Sequence, residues 1–363
     1  MNAKHLLNLV GDRLHTLPLI VLYLTDGCNS RCVTCDIWRN PRRNMSWELV
    51  EKIASECHAL QTRWVLLSGG EAMQHPDWPR IAQRFHSQGI HVMLLTNGLL
   101  LRKQMDAVVA SVDELIVSLD AGTAQTYSDI RGVDGFDLVM DGIHLVREAN
   151  LPVTTRTTIQ RANFRELPQI IEVACAADVN HISFLAVDVS NPIAFGPRFQ
   201  PVMAQAVGDI PLVANMGPGA PPEHGPLASA LTPQDTVELA HILDQIEIRY
   251  ADLFDQGRIA ESPEKMRRIL LQYFNALNGD DESPRPRCNA PHFSTVIDVD
   301  GTLRPCYFLP GYGRLGGDTT SLHEVLNNGA AQALLQAYRT GQRTECERCV
   351  CPLYKGPRML LQM

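Results

Sequence analysis

The sequence predicts an α/β fold built on parallel strands, and three observations carry the prediction. Short apolar runs rich in β-branched residues recur at 17–25, 64–68, 90–96, 114–119, 153–159 and 181–187, each bounded by turn residues. Segments of helical period separate them at 46–60, 77–88, 102–111, 136–150 and 164–178. The conspicuous polar and cysteine motifs fall just after strands. Parallel neighbours need right-handed helical crossovers, so six such units form a β/α barrel or an open doubly wound sheet. In either architecture the chemistry belongs at the C-terminal strand ends.

Taken in order, the first strand runs into LTDGCNSRCVTCDIW (24–38), which sets Cys28, Cys32 and Cys35 close together. The first long helix has Ser46 as its N-cap. The second strand leads into SGGEAMQHP, the third ends in Thr96, Asn97 and Gly98, and the fourth closes on Ser118, Leu119 and Asp120. The fifth carries Arg156 within VTTRTTIQRANF. After the sixth comes a Pro- and Gly-rich stretch, 190–230, too long for a routine connection and expected to be a linker or a lid that shields the site. Two bridging helices follow at 232–250, with Thr232 and Pro233 at N-cap and N1, and at 262–277. A hairpin at 295–303 turns at Asp300 and Gly301 and brings Cys288 and Cys306 together, and a helix at 321–339 returns the chain to Cys346, Cys349 and Cys351. The expected units are therefore 1–190, 191–285 and 286–363.

Composition narrows the function. With 363 residues, 45% of them hydrophobic, the chain can bury a large core. Its formal charge of −8 argues against broad attraction to nucleic acid or acidic membranes. Pro18 interrupts the apolar N-terminal stretch, which is too short to span a bilayer, so a cytoplasmic location is expected. Ten cysteines in a reducing compartment point to metal or redox chemistry. A closed zinc site wants four ligands, and only three thiols are local here. Three thiolates suit a [4Fe–4S] cluster, which then keeps one iron open. The competing reading makes them packing residues, but their neighbours Asp26, Asn29, Ser30 and Arg31 are polar. Cys57 and Cys175 sit at helical core spacing and read as packing.

CX3CX2C after the first strand and GGE after the second resemble the radical S-adenosylmethionine (radical SAM) superfamily. The resemblance implies a partial (β/α)6 TIM-like barrel and an open iron chelated by the amino and carboxylate groups of SAM. Reductive cleavage of SAM then gives a 5′-deoxyadenosyl radical that abstracts hydrogen from substrate. It also implies that Gly69, Gly70 and Glu71 hold the methionyl amine, the glycines clearing space for a ligand. Asn97 and Ser118 either offer hydrogen bonds to ribose or the SAM carboxylate or cap a strand end, and Arg156 either pairs with the SAM carboxylate or forms an interior salt bridge with Asp120 or Glu71. One departure stands out: Thr34 occupies the position before the third cysteine, where relatives carry an aromatic residue near adenine, leaving Trp38 as a substitute.

CX12GX4C with a later CX2C resembles the twitch domain, the short form of SPASM, and implies a small C-terminal α+β unit with a second, auxiliary [4Fe–4S] cluster on Cys288, Cys306, Cys346 and Cys349. Cys351 is a fifth thiol that replaces Cys349, is spare, or returns a hydrogen atom to substrate. Read without the core, the same spacing also permits a zinc ribbon. His292, Tyr307, Asp298 and Asp300 are candidates for proton handling or for hairpin structure. The resemblance thus implies an oxidoreductase acting on a small natural-product or peptide substrate and fed by a flavodoxin- or ferredoxin-type donor. A redox-neutral epimerase or peptide maturase and a non-catalytic redox sensor are the alternatives. With the first strand starting near residue 17, no N-terminal leader-peptide module is expected.

Overall fold

A computed structural model of the chain describes residues 4–191, 194–196, 226–279, 287–316, 320–347 and 349–355. The expected lid at 190–230 lies largely outside them.

The six runs form parallel strands β1 (Leu19–Thr25), β2 (Trp64–Gly69), β3 (His91–Thr96), β4 (Glu114–Ser118), β5 (Val153–Ile159) and β6 (His181–Ala186). They pair in sequence order, and the sheet continues past β1 into β7 (Ser294–Ile297), β8 (Thr302–Arg304) and β9 (Gly313–Arg314), in the order β6-β5-β4-β3-β2-β1-β7-β8-β9. The first six units are thus a partial barrel left open. β7 is parallel to β1, with Leu19 opposite Ser294 and Leu22 opposite Ile297, so the C-terminal hairpin extends the core sheet. At the other edge, Arg258 and Ala260 bond the backbone of Ile182, and Glu261 accepts from Ser183 Oγ and Phe184 N, which covers β6.

Burial alternates along the central strands. Val65, Leu67, Val92, Leu94, Leu115 and Val117 are fully buried beneath the helices. Leu66, Met93 and Ile116 face the concave side and line a cavity there. Helices α1 (Lys4–Leu7), α2 (Trp47–Glu56), α3 (Trp78–His86), α4 (Met105–Ser111), α5 (Ala124–Arg131), α6 (Phe136–Glu148) and α7 (Leu167–Ala176) accompany the strands. Ser46 caps α2 as expected, accepting the Leu49 N–H.

Four elements differ from expectation. Helix α5 stands where no element was assigned; Thr123 caps it, and Gly132, at φ 65°, ends it in the left-handed conformation. The segment 102–111 opens with a 3-10 turn before α4. The bridging helix at 262–277 contains a π segment, Arg267–Gln272, flanked by Pro263–Met266 and Tyr273–Leu277. The helix expected at 321–339 is broken into Leu322–Leu326 and Gly329–Arg339. The break has a cause: Asn328 caps the second piece, and Asn327 turns its side chain to the backbone of Leu14.

Candidate active site at the strand ends

The cysteine loop after β1 is packed backbone to backbone on the loop after β2. Gly70 N donates to Thr25 O and Glu71 N to Gly27 O, both at 2.8 Å. A Cβ on Gly70 would stand 2.4 Å from Gly27 O, and one on Gly69, at φ 126°, 2.5 Å from Thr25 O. The Cβ positions that these glycines leave free are occupied by the backbone of the cysteine loop.

The Glu71 carboxylate is buried and turned inward. Oε1 accepts from Met73 N at 3.1 Å and Thr96 Oγ1 at 2.9 Å, and Oε2 accepts from Asn97 N at 2.7 Å. Burial raises its pKa while these donors pull it down. Its side chain therefore fixes the end of β3. Asn97 passes the constraint on, donating to Asn29 Oδ1 at 2.7 Å and Ser30 Oγ at 3.0 Å, with its amide 3.9 Å from Cys28 Sγ. Burial pushes the Cys28 thiol up to about 11, against the Ser30 N–H that donates to it. A thiol in that setting ionises when a metal takes the place of its proton.

Sequence reasoning missed Arg131. Its Nη2 lies 2.7 Å from Asp120 Oδ2 and its Nη1 donates to Cys32 Sγ at 3.7 Å. Burial opposes its charge, but Asp120 and Cys32 hold its pKa above the ordinary value. The helix that carries it also grips the loop, since Arg31 N donates to Arg131 O and Val33 N to Ile130 O. The available signal was Thr123 and Gly132, a cap at each end of an eight-residue helix. Because Asp120 is taken by Arg131 and Glu71 by backbone donors, the salt bridge weighed for Arg156 does not form with either. Trp38 lies under Arg39, 4.9 Å from the ring centroid, with Arg31 at 5.7 Å.

Arg156 instead faces a cavity of about 580 Å³, together with Leu66, Met93, Ile116 and Leu185 of the sheet. Ser118 is its register partner on β4. Cys288, Cys306, Cys346, Cys349, Cys351 and Tyr307 line the same cavity. Burial pushes Cys306 up to about 12 and raises Cys349, Cys351 and Tyr307. His292 stands apart, its Nδ1 2.8 Å from Asn8 O and its ring edge-on to Tyr338. Asp298 pairs with Arg304 at 2.6 Å, and Asp300 accepts from Thr302 N in the hairpin turn.

The donor sets suit iron–sulfur clusters. Soft thiolates favour such clusters over harder cations, and Cys288, Cys306, Cys346, Cys349 and Cys351 face one cavity.

Comparison with known proteins agrees. The model of the radical SAM superfamily matches residues 22–174, and that of SPASM, an iron-sulfur cluster-binding domain, matches 288–350. The chain carries a radical SAM domain followed by a SPASM iron–sulfur domain. A radical SAM domain with a SPASM domain implies SAM, a [4Fe–4S] cluster and further iron–sulfur clusters, in place of the zinc ribbon. The AdoMet-dependent heme synthase of Methanosarcina barkeri is 32% identical over 175 residues, 46% of this chain and 50% of that protein. The Fe-coproporphyrin III synthase of the same organism is 28% identical over 187 residues, 50% of this chain and 46% of that protein. A GTP 3′,8-cyclase of Chlorobaculum tepidum is 30% identical over 188 residues, 49% and 56% of the two chains. The radical SAM chain thus spans about half the length of the curated relatives it matches. Among solved structures, Streptococcus suis SuiB bound to precursor peptide SuiA superposes with a TM-score of 0.62 at 13% identity, over 97% of this chain and 75% of that one. Native anSMEcpe with bound AdoMet and Cp18Cys peptide gives 0.61 at 14%, over 93% and 89%. These two share its fold. Among the described residues no helix is long and apolar enough to cross a membrane.

Proposed function

We propose that this radical SAM enzyme is an oxidoreductase that removes two electrons from a small natural-product or peptide substrate held in the 580 Å³ cavity. In this reading Cys28, Cys32 and Cys35 hold the SAM-binding cluster, and Cys288, Cys306, Cys346 and Cys349 hold an auxiliary one. When bound and reduced by a flavodoxin- or ferredoxin-type donor, the cofactors supply a 5′-deoxyadenosyl radical that removes a hydrogen atom from substrate. The backbone at Gly70 and Glu71 with Asn97, Ser118 and Arg156 orients SAM. A cytoplasm that keeps ten thiols reduced suits this chemistry.

The observation that carries the reading is the shared cavity. Met93, Ile116 and Leu185 face the same space as the C-terminal thiols, so substrate there lies beside a second electron acceptor. The balance is one hydrogen atom to the deoxyadenosyl group, then one electron to the auxiliary site and one proton to water. Peptides stay within the substrate class because the two solved neighbours carry peptides.

Cys351 favours a second reading, epimerisation. It is half-buried on the cavity wall, and desolvation there raises its pKa and favours the protonated thiol although Arg156 opposes this. A protonated thiol is what hydrogen return needs. Anaerobic turnover of the reconstituted enzyme in D2O separates the two. Oxidation gives product two hydrogens lighter without solvent deuterium. Epimerisation gives deuterated product that Cys351→Ser abolishes while 5′-deoxyadenosine still forms.

A further inference from the structure

We propose that Arg131 and Asp120 together set the reduction potential of the cluster held by Cys28, Cys32 and Cys35, with Arg131 easing its reduction and Asp120 limiting the effect. The inference rests on the cluster assignment made above.

The geometry is that of a charge fixed against a sulfur. Arg131 is buried with its side chain 10% exposed; one terminal nitrogen reaches Asp120 and the other Cys32 Sγ. Its Nε has no hydrogen-bond partner. Asp120 is itself anchored, its Oδ1 accepting Thr158 N at 2.7 Å. Helix α5 is pinned at its start, where Glu166 accepts from Gly122 N and Thr123 Oγ1. The left-handed Gly132 presses on the loop, leaving a Cβ only 2.5 Å from Arg31 O. The guanidinium therefore has little freedom to swing away. The charge of Arg131 also acts on Cys28 and on Glu71.

One electron from a low-potential donor takes the cluster core from 2+ to 1+ and adds one negative charge behind the three thiolates. A hydrogen-bonding cation at one thiolate stabilises that added charge, and in a water-poor setting the effect is large. Asp120 subtracts from it, which gives the pair an opposite-sign signature. A residue that merely shapes the loop lacks this signature.

The test is an EPR-monitored redox titration of the reconstituted full chain with dithionite or a stronger one-electron reductant, following the reduced signal that changes on adding SAM. Iron per chain is measured alongside. Arg131→Gln is expected to lower the midpoint potential, Asp120→Asn to raise it, and Arg131→Lys to fall between wild type and Arg131→Gln. Unchanged midpoints in Arg131→Gln and Asp120→Asn at full iron, or shifts of the same sign, overturn the inference. If Arg131→Gln does not retain iron, Asp120→Asn alone decides, and a wild-type midpoint there is fatal. A wild-type chain with no SAM-responsive signal defeats the cluster assignment instead, so the two failures are distinct.

Discussion

Glu71 Oε2 accepts the Asn97 backbone N–H at 2.7 Å, tying the end of β2 to the end of β3 directly behind the cysteine loop. The carboxylate in GGE is structural mortar for the loops that surround the site. Glu71→Ala leaves the donors of Met73, Thr96 and Asn97 without an acceptor. Each such buried donor costs about 1–3 kcal/mol, so the metal-free chain should lose at least about 2 kcal/mol. A urea midpoint that falls with unchanged slope checks this, and a midpoint equal to wild type refutes it.

Gly70 sits where a methyl group would collide with Gly27 O. Gly70→Ala should therefore displace the cysteine loop and spare the C-terminal thiols. Iron in the reconstituted protein is expected to drop from about eight to about four per chain, since each cubane holds four irons. Retention of the full complement would show that the loop tolerates the shift.

Asn327 joins the two ends of the chain. Its Nδ2 donates to Leu14 O at 3.0 Å and its Oδ1 accepts Leu14 N at 2.8 Å. Asn327→Ala orphans two buried backbone groups and should cost about 2 kcal/mol. Asn327→Asp keeps the acceptor alone and should fall between. Equal thermal midpoints for all three proteins would contradict the assignment.

His292 makes stability depend on pH. Burial lowers its pKa below 6.5, although the hydrogen bond to Asn8 opposes this. The unfolded chain then binds the proton more readily than the folded one. Its contribution is full above about pH 6.5 and is lost as pH falls from there through the folded value. His292→Gln should flatten the wild-type decline in urea midpoint between pH 7 and pH 5.5. The same slope in both proteins would assign the decline to other groups.

The six core strands, the cap at Ser46, the hairpin at Asp300 and the two cysteine groups were legible in the sequence because each rests on local periodicity, spacing or turn chemistry, whereas the strand order was not. Helix α5 was legible in principle but short, and its caps were not read as a pair. The break at Asn327 was hidden because helical period runs straight through it; only the backbone of Leu14, 313 positions away, makes that side chain leave the helix.

What the sequence by itself determined is the chemistry at hand: two groups of soft thiols, in a chain of net negative charge. What only the tertiary structure decided is which groups meet. Arg131 stands 99 positions from Cys32, and no pattern along the chain links them. The packing of GGE against the cysteine loop arises only because β1 and β2 lie side by side. Residues far apart along the chain meet only when the sheet stacks their strand ends, and that stacking depends on the burial of all its strands at once.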